Sequence, residues 1–159
     1  MDYSADFKWR RARAALAMLL NSAVEAVVEH YGPEALDVIA RKWRENNLRA
    51  VPRMMELVGC SERTLATVAR IIDFTDTIYG VEGEWTEVGP DRAVKSERSC
   101  PLARQFRSEV CTRLLAAAME GIARGVTGDD GFTCRMPRCL AAGDDRCEII
   151  IEKGDGRER

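Results

Sequence analysis

The segment FTCRMPRCLAAGDDRCEIIIE, from Phe132 to Glu152, decides the fold. Two strand-like runs, Phe132 to Leu140 and Arg146 to Glu152, flank Ala-Ala-Gly-Asp-Asp, which is turn chemistry. The pattern predicts an antiparallel hairpin whose second arm is buried, because Ile149, Ile150 and Ile151 are consecutive and apolar. Cys139 and Cys147 bracket the turn. A loop with an odd number of residues centred on Gly143 sets the two cysteines opposite each other on one face, with Cβ atoms about 4.5–5.5 Å apart. An even loop sets Cys139 opposite Glu148 and sends the thiols to opposite faces. Cys134 has the opposite parity to Cys139, which assigns it to the other face.

Upstream, Glu84 to Val88 and Arg92 to Ser99 flank Gly89-Pro90-Asp91 and predict a first hairpin. Its strands are polar, so one face is expected to be wet. Between the hairpins, Leu114, Leu115, Ala118, Met119 and Ile122 repeat with helical spacing. The first half of the chain is helical. Apolar residues recur at three and four from Trp9 to Tyr31, and Gly32-Pro33 ends the run. A second helix carries Leu36, Ile39, Ala40 and Trp43, with a break expected near Asn46-Asn47 and a kink or restart at Pro52. Arg41, Lys42, Arg44, Arg49 and Arg53 make that stretch basic, either as a solvated face or as an anion site. Ser61 is the expected N-cap of a third helix, closed by Gly80. Helices, hairpin, helix, hairpin make an α+β fold. Its helical N-terminal half packs on an antiparallel sheet built from two hairpins, with a further helix between them. The chain is read as one domain over residues 1–152 with a frayed tail over 153–159.

Composition narrows the function. A net charge of -2 argues against a nucleic-acid binder carried by bulk charge. Asp2 and Asp6 interrupt the basic start that a secretion signal needs, and no window approaches the roughly 18 apolar residues of a membrane span. The expectation is a cytoplasmic protein without a membrane segment, where thiols stay reduced. Six cysteines stand against one histidine, His30, which removes most histidine-centred catalysis and turns attention to thiolates. Cys60 reads as a small buried hydrophobe, whereas the other five cysteines lie between positions 100 and 147.

Cys100-Pro101 looks like the start of a helix. A continuous helix from there would place Cys111 about 16 Å along the axis. A short turn through Leu102-Ala103-Arg104, a break, and a new helix capped by Ser108 would instead put Cys111 in a first turn. There the helix dipole lowers a thiol pKa. Spacing alone leaves open a bound metal, free buried thiols, or a redox disulfide such as Cys134–Cys139 or Cys139–Cys147.

Cys100-Pro101-Leu102, Cys111 opening a helix, and Cys139-Leu-Ala-Ala-Gly143-Asp144-Asp-Arg-Cys147 together resemble the 4-vinyl reductase domain. They resemble still more the family named for L-2-amino-thiazoline-4-carboxylate hydrolase. The resemblance runs from Glu82 to Glu152. It implies an α+β fold shared with small ligand-binding and trafficking-subunit domains. It also implies a metal, zinc or alternatively an iron–sulfur cluster, on Cys100, Cys111, Cys139 and Cys147. Where the 4-vinyl reductase pattern has an acidic residue before the third cysteine, this chain has Met136, Pro137 and Arg138, and Cys134 is additional.

Two functions compete. One is a hydrolase acting on a small heterocycle, which needs an open metal position or a cysteine nucleophile. Its candidate bases are Glu109, Asp129, Asp144 and Asp145, each of which also reads as a turn residue, cap or solvated charge. The other is a non-catalytic ligand sensor with a structural zinc. Both take a small organic ligand. The long apolar first helix packs on its own sheet or on a second copy of the chain.

Overall fold

The computed structural model describes residues 2–154. Helix α1 (Ala5–Tyr31) is followed by α2 (Ala35–Val58) and α3 (Leu65–Tyr79). Strands β1 (Glu82–Val88) and β2 (Arg92–Ser99) form the first hairpin. A π-helical turn over Val110–Leu115 runs into α4 (Ala116–Thr127), and β3 (Phe132–Arg138) and β4 (Cys147–Lys153) complete the described chain. Among the described residues the strands form one antiparallel sheet in the order β1-β2-β4-β3. The α+β architecture is therefore as expected, with the two hairpins joined through β2 and β4. Strand β4 takes in Lys153, one residue past the expected end, and residues 155–159 of the expected tail lie outside the described residues.

The helix ends follow from local chemistry. Ser4 Oγ accepts the Phe7 N–H at 3.2 Å and opens α1, and Gly32, at φ +87°, closes it. Helix α3 begins after Thr64, whose extended backbone marks the cap position, rather than at Ser61. Helix α2 does not break at Asn46-Asn47 or Pro52. It runs along α4, where Gly121 and Gly125 offer no side chain to the backbone of Arg44 and Leu48. A Cβ on Gly121 would lie 2.3 Å from the Arg44 carbonyl oxygen. The close approach buries Glu120 between Arg44 and Arg124, each 2.7 Å away. Arg44 Nε meets Glu120 as a charge pair rather than as an aligned hydrogen bond. Tertiary packing thus overrides the local helix-breaking signal. Gly121→Ala is expected to cost about 1–3 kcal/mol, since the clash outweighs the helix propensity that alanine gains. A urea titration checks it, and an unchanged midpoint would refute the backbone-contact argument.

The main core lies between the sheet and α2, α3 and α4, around Leu65, Ile71, Ile72, Val126, Ile149 and Ile151. A second cluster joins α1 and α2 to the π-turn through Val24, Leu36, Val110 and Leu114. Helix α1 therefore packs on helices and not on the sheet, and it leaves Leu16, Met18 and Leu19 exposed. The basic residues Arg41, Lys42, Arg49 and Arg53 on α2 are exposed. No helix of the described residues is long and apolar enough to cross a membrane.

The polar first hairpin has the expected wet face: β1 is exposed along nearly all its length, and the outward residues of β2 are at most partly buried. Strand β2 lies in the middle of the sheet, and Ala93, Lys95 and Glu97 point inward and are buried.

Candidate functional site

A cavity of about 480 Å³ lies among α1, α2, α3, the π-turn with α4, and the sheet. Its wall is mostly apolar, with Leu20, Trp43, Met54, Ile72, Met119 and Ile122. Such a volume with a few convergent polar groups is typical of small-molecule sites.

One end of the cavity carries thiols. Cys100, Cys111 and Cys147 line it. Cys139, 1% exposed, lies close enough to Cys111 to disfavour its thiolate. The hairpin delivers two of these by register. Arg138 stands opposite Glu148, so the next pair inward to the loop is Cys139 and Cys147, with Gly143 at the loop centre and φ +94°. The Cys139 carbonyl accepts from Ala142 N–H at 2.9 Å and Asp144 N–H at 3.3 Å. The Asp144 carboxylate accepts the Cys139 N–H at 2.7 Å. Asp144 therefore holds the turn. Cys111 comes from the π-turn, whose start is fixed to α1 where Arg107 N–H donates to Asn21 Oδ1 at 2.9 Å. Ser108 lies inside that helical start and its Oγ contacts Glu109 at 3.2 Å, so it does not cap as expected. Cys100 follows β2, and a turn with Ala103 N–H donating to the Cys100 carbonyl at 3.1 Å separates it from the helix.

Cys134 required a correction. A bulge between Arg135 and Arg138 shifts the register by one residue. Cys134 then pairs with Ile151 and shares the inner face with Cys147, against the simple parity count. Its charged neighbours are Glu120 and Arg135, and burial with Glu120 beside it pushes its pKa up to about 12.

The helix start does not ionise Cys111. Burial first, and then the neighbouring Cys139, Cys147 and Cys100, hold its pKa well above the usual thiol range. Burial pushes Cys147 up to about 12, against the Leu140 N–H that donates to its sulfur at 3.4 Å. Burial also raises Cys100, while the N–H groups of Leu102 and Ala103 favour its thiolate. No lysine or arginine favours ionisation of any of these three thiols. As they lie, no three His, Cys, Asp or Glu side chains among the described residues stand at ligating spacing. The donor chemistry nevertheless suits a thiophilic cation. All donors are sulfur, backbone N–H groups are aimed at two of them, and a positive charge is what the set lacks.

The cavity wall beside these thiols is acidic, and sequence reading missed it. Lys95, 1% exposed, donates to Asp73 at 2.5 Å and to Asp76, both on α3, and stands 5.2 Å from the Trp85 ring centroid. Trp85 Nε1 also donates to Asp73 at 2.9 Å. Asp76 and Glu97 line the cavity. Glu97 is 6% exposed and makes no hydrogen bond or ion pair with the described residues. Burial, with the Asp76 charge adding to it, pushes its pKa up to about 7. Glu97 sits opposite Gly83 on one side and Cys147 on the other. A Cβ on Gly83 would come within 2.6 Å of the Ser96 carbonyl oxygen, so β1 can close on β2 there only with glycine. The available signals were Asp73 and Asp76 three apart on an apolar helix and the alternation of Lys95 with Glu97.

The remaining candidates lie away from the cavity lining. Glu109 faces Arg107 at 3.6 Å. Asp129 accepts the Gly131 N–H at 2.8 Å and pairs with Lys153 at 2.7 Å, as a turn residue. Asp145 pairs with Arg138 and Arg146. His30 is exposed in the last turn of α1, edge-on to Tyr31.

No protein-family model and no curated protein sequence matches the chain. Solved structures do. One is the phenol-responsive sensory domain of the transcription activator PoxR with phenol, at TM-score 0.69 and 14% identity, covering 89% of this chain and 76% of that one. Another is a trafficking protein particle complex subunit 3 from Naegleria fowleri covalently bound to palmitic acid, at TM-score 0.66 and 18% identity, covering 91% of this chain and 96% of that one. At these identities the likeness is one of fold.

Proposed function

We propose that this chain is a small-molecule-binding module whose cavity ends on a thiolate-held zinc ion, with ligand occupancy signalled to a partner. The observation that carries the binding function is the largely apolar 480 Å³ cavity between the helices and the sheet. Two fold neighbours that hold small molecules, phenol in one and palmitic acid in the other, support it. A hydrolase is the weaker reading, because Glu109, Asp129, Asp144 and Asp145 are all absent from the cavity lining.

Ligand binding is tested with N-phenyl-1-naphthylamine, an apolar probe that fluoresces on leaving water. Saturable one-site binding is expected. Replacing the cavity-lining Ala118 with tryptophan should weaken it at least tenfold while the circular dichroism spectrum is retained. Probe binding that ignores Ala118→Trp would refute the cavity as the site.

Cys100, Cys111, Cys139 and Cys147 are the residues that would hold the zinc. A bound zinc supplies the positive charge that three buried thiolates and the half-buried Cys100 require, and ties the last hairpin to the π-turn. Protein purified anaerobically without chelator is expected to carry about one zinc per chain and no visible absorption. Serine at any of the four positions should lower the zinc content, whereas Cys134→Ser should leave it unchanged. Iron with broad visible absorption would move the assignment to an iron–sulfur cluster on the same residues. No metal at all would sink the site and leave the thiols as core or redox groups.

A further inference from the structure

We infer that the ligand of this cavity carries a basic nitrogen, a primary or secondary amine, set against Glu97 with its apolar body along Trp43 and Ile72. The inference rests on the cavity being a ligand site and names the chemistry that such a site selects.

Three observations converge on it. Glu97 is a cavity-lining carboxyl, 6% exposed, without a hydrogen bond or ion pair among the described residues. Buried carboxyls are ordinarily paired, so a lone one facing a cavity marks a missing partner. The charge count around it is also unbalanced. Asp73, Asp76 and Glu97 face a single cation, Lys95, and its ammonium is already committed to the two aspartates. Arg13 reaches the cavity wall from α1, but its guanidinium donates to the Ile78 carbonyl oxygen at 3.0 Å, at the C-terminal end of α3. Three carboxylates thus stand against one cation, and Glu97 is the one that the ammonium does not reach with a hydrogen bond. Finally, the neighbouring thiols supply no compensating cation. Neutral thiols carry no charge, and four thiolates on one divalent metal carry a net negative charge.

An amine gives Glu97 its missing partner without any outside proton donor. If it arrives as the ammonium it meets the carboxylate. If it arrives as the free base it takes the proton from the Glu97 carboxyl. Both routes end in the same N–H to carboxylate hydrogen bond with the same proton count. In a site of low polarity such charge-assisted bonds are the strong ones. A carboxylate-bearing ligand would instead add a like charge beside Asp76 and Glu97.

The test is an isosteric series on the full chain: tryptamine, tryptophol and indole-3-acetate, which are cationic, neutral and anionic on one ring system. Binding is read by calorimetry. Tryptamine is expected to bind about tenfold more tightly than tryptophol, the worth of one charge-assisted hydrogen bond over a neutral one, with indole-3-acetate weakest. Glu97→Gln should erase the amine preference, leave tryptophol affinity within about twofold, and keep the metal content of the parent protein.

Equal binding of all three compounds to the parent protein overturns the inference and leaves the cavity as a ligand site. No binding of any of them overturns the inference together with the binding function. Loss of metal in Glu97→Gln would make Glu97 a metal ligand and overturn its role as the amine partner. The ranking on the parent protein needs no variant, so a Glu97→Gln protein that fails to fold still leaves the inference exposed to refutation.

Discussion

Replacing Lys95 with methionine is expected to destabilise the fold by about 3–5 kcal/mol, the penalty for removing one member of a buried ion pair. The side chain is 1% exposed on a central strand. Its ammonium is the shared counter-ion of Asp73 and Asp76. Burial works against the charged lysine, but hydrogen bonds to both aspartates more than offset it, so its pKa stands above the usual value. Asp76 is the opposite case. Burial outweighs Lys95 and raises its pKa, because one ammonium is divided between two carboxylates. Methionine fills the space but leaves Asp76 buried without a cation and Trp85 without the contact to its ring. Adding Asp76→Asn to Lys95→Met should recover about half of the loss, since the second change removes the stranded charge. Urea titrations of the parent, both single variants and the double variant measure this cycle. If the two single losses simply add, Lys95 and Asp76 are not coupled and the buried network is misdescribed.

That network also marks the boundary of what the sequence made legible. The last hairpin could be read because its register depends on local quantities, namely the parity of Cys139 and Cys147 and the glycine at the loop centre. The Gly32 end of α1 and the αL glycine closing α3 were local in the same way. Lys95 and Glu97 could not be read so directly. Their burial depends on β2 pairing with β4, a contact between residues some fifty positions apart that puts β2 inside the sheet and leaves β1 at its edge. Cys134 failed for a related reason, because one bulged residue near Pro137 inverts the face of everything before it. Pro52 misled as a restart because its cost is local, whereas the contact that keeps α2 continuous through it comes from glycines on α4. Cys111 was placed correctly in a first helical turn. Its expected ionisation failed because burial among other thiols outweighs a helix start.

The second large effect concerns pH. Between pH 5 and pH 8 the parent protein is expected to lose about 2–3 kcal/mol of stability relative to Glu97→Gln. The carboxyl titrates near 4.5 when unfolded and at about 7 in the fold, where burial and the Asp76 charge oppose its ionisation. The folded state therefore holds the proton more tightly. That stabilisation is complete below the unfolded pKa and disappears as pH rises through the folded one. Glutamine mimics the protonated acid and has no proton to lose, so its stability should stay level across the window. The comparison is made on chelator-treated protein, in which burial holds Cys147 near 12 and Cys111 above its usual range, beyond this interval. Urea midpoints for both proteins at pH 5 and pH 8, with the slopes checked for constancy, give the difference directly. Parallel curves would mean that Glu97 ionises freely in the fold. An amine that pairs with Glu97 should abolish the same pH dependence in the parent protein, because the bound cation compensates the charge that burial disfavours.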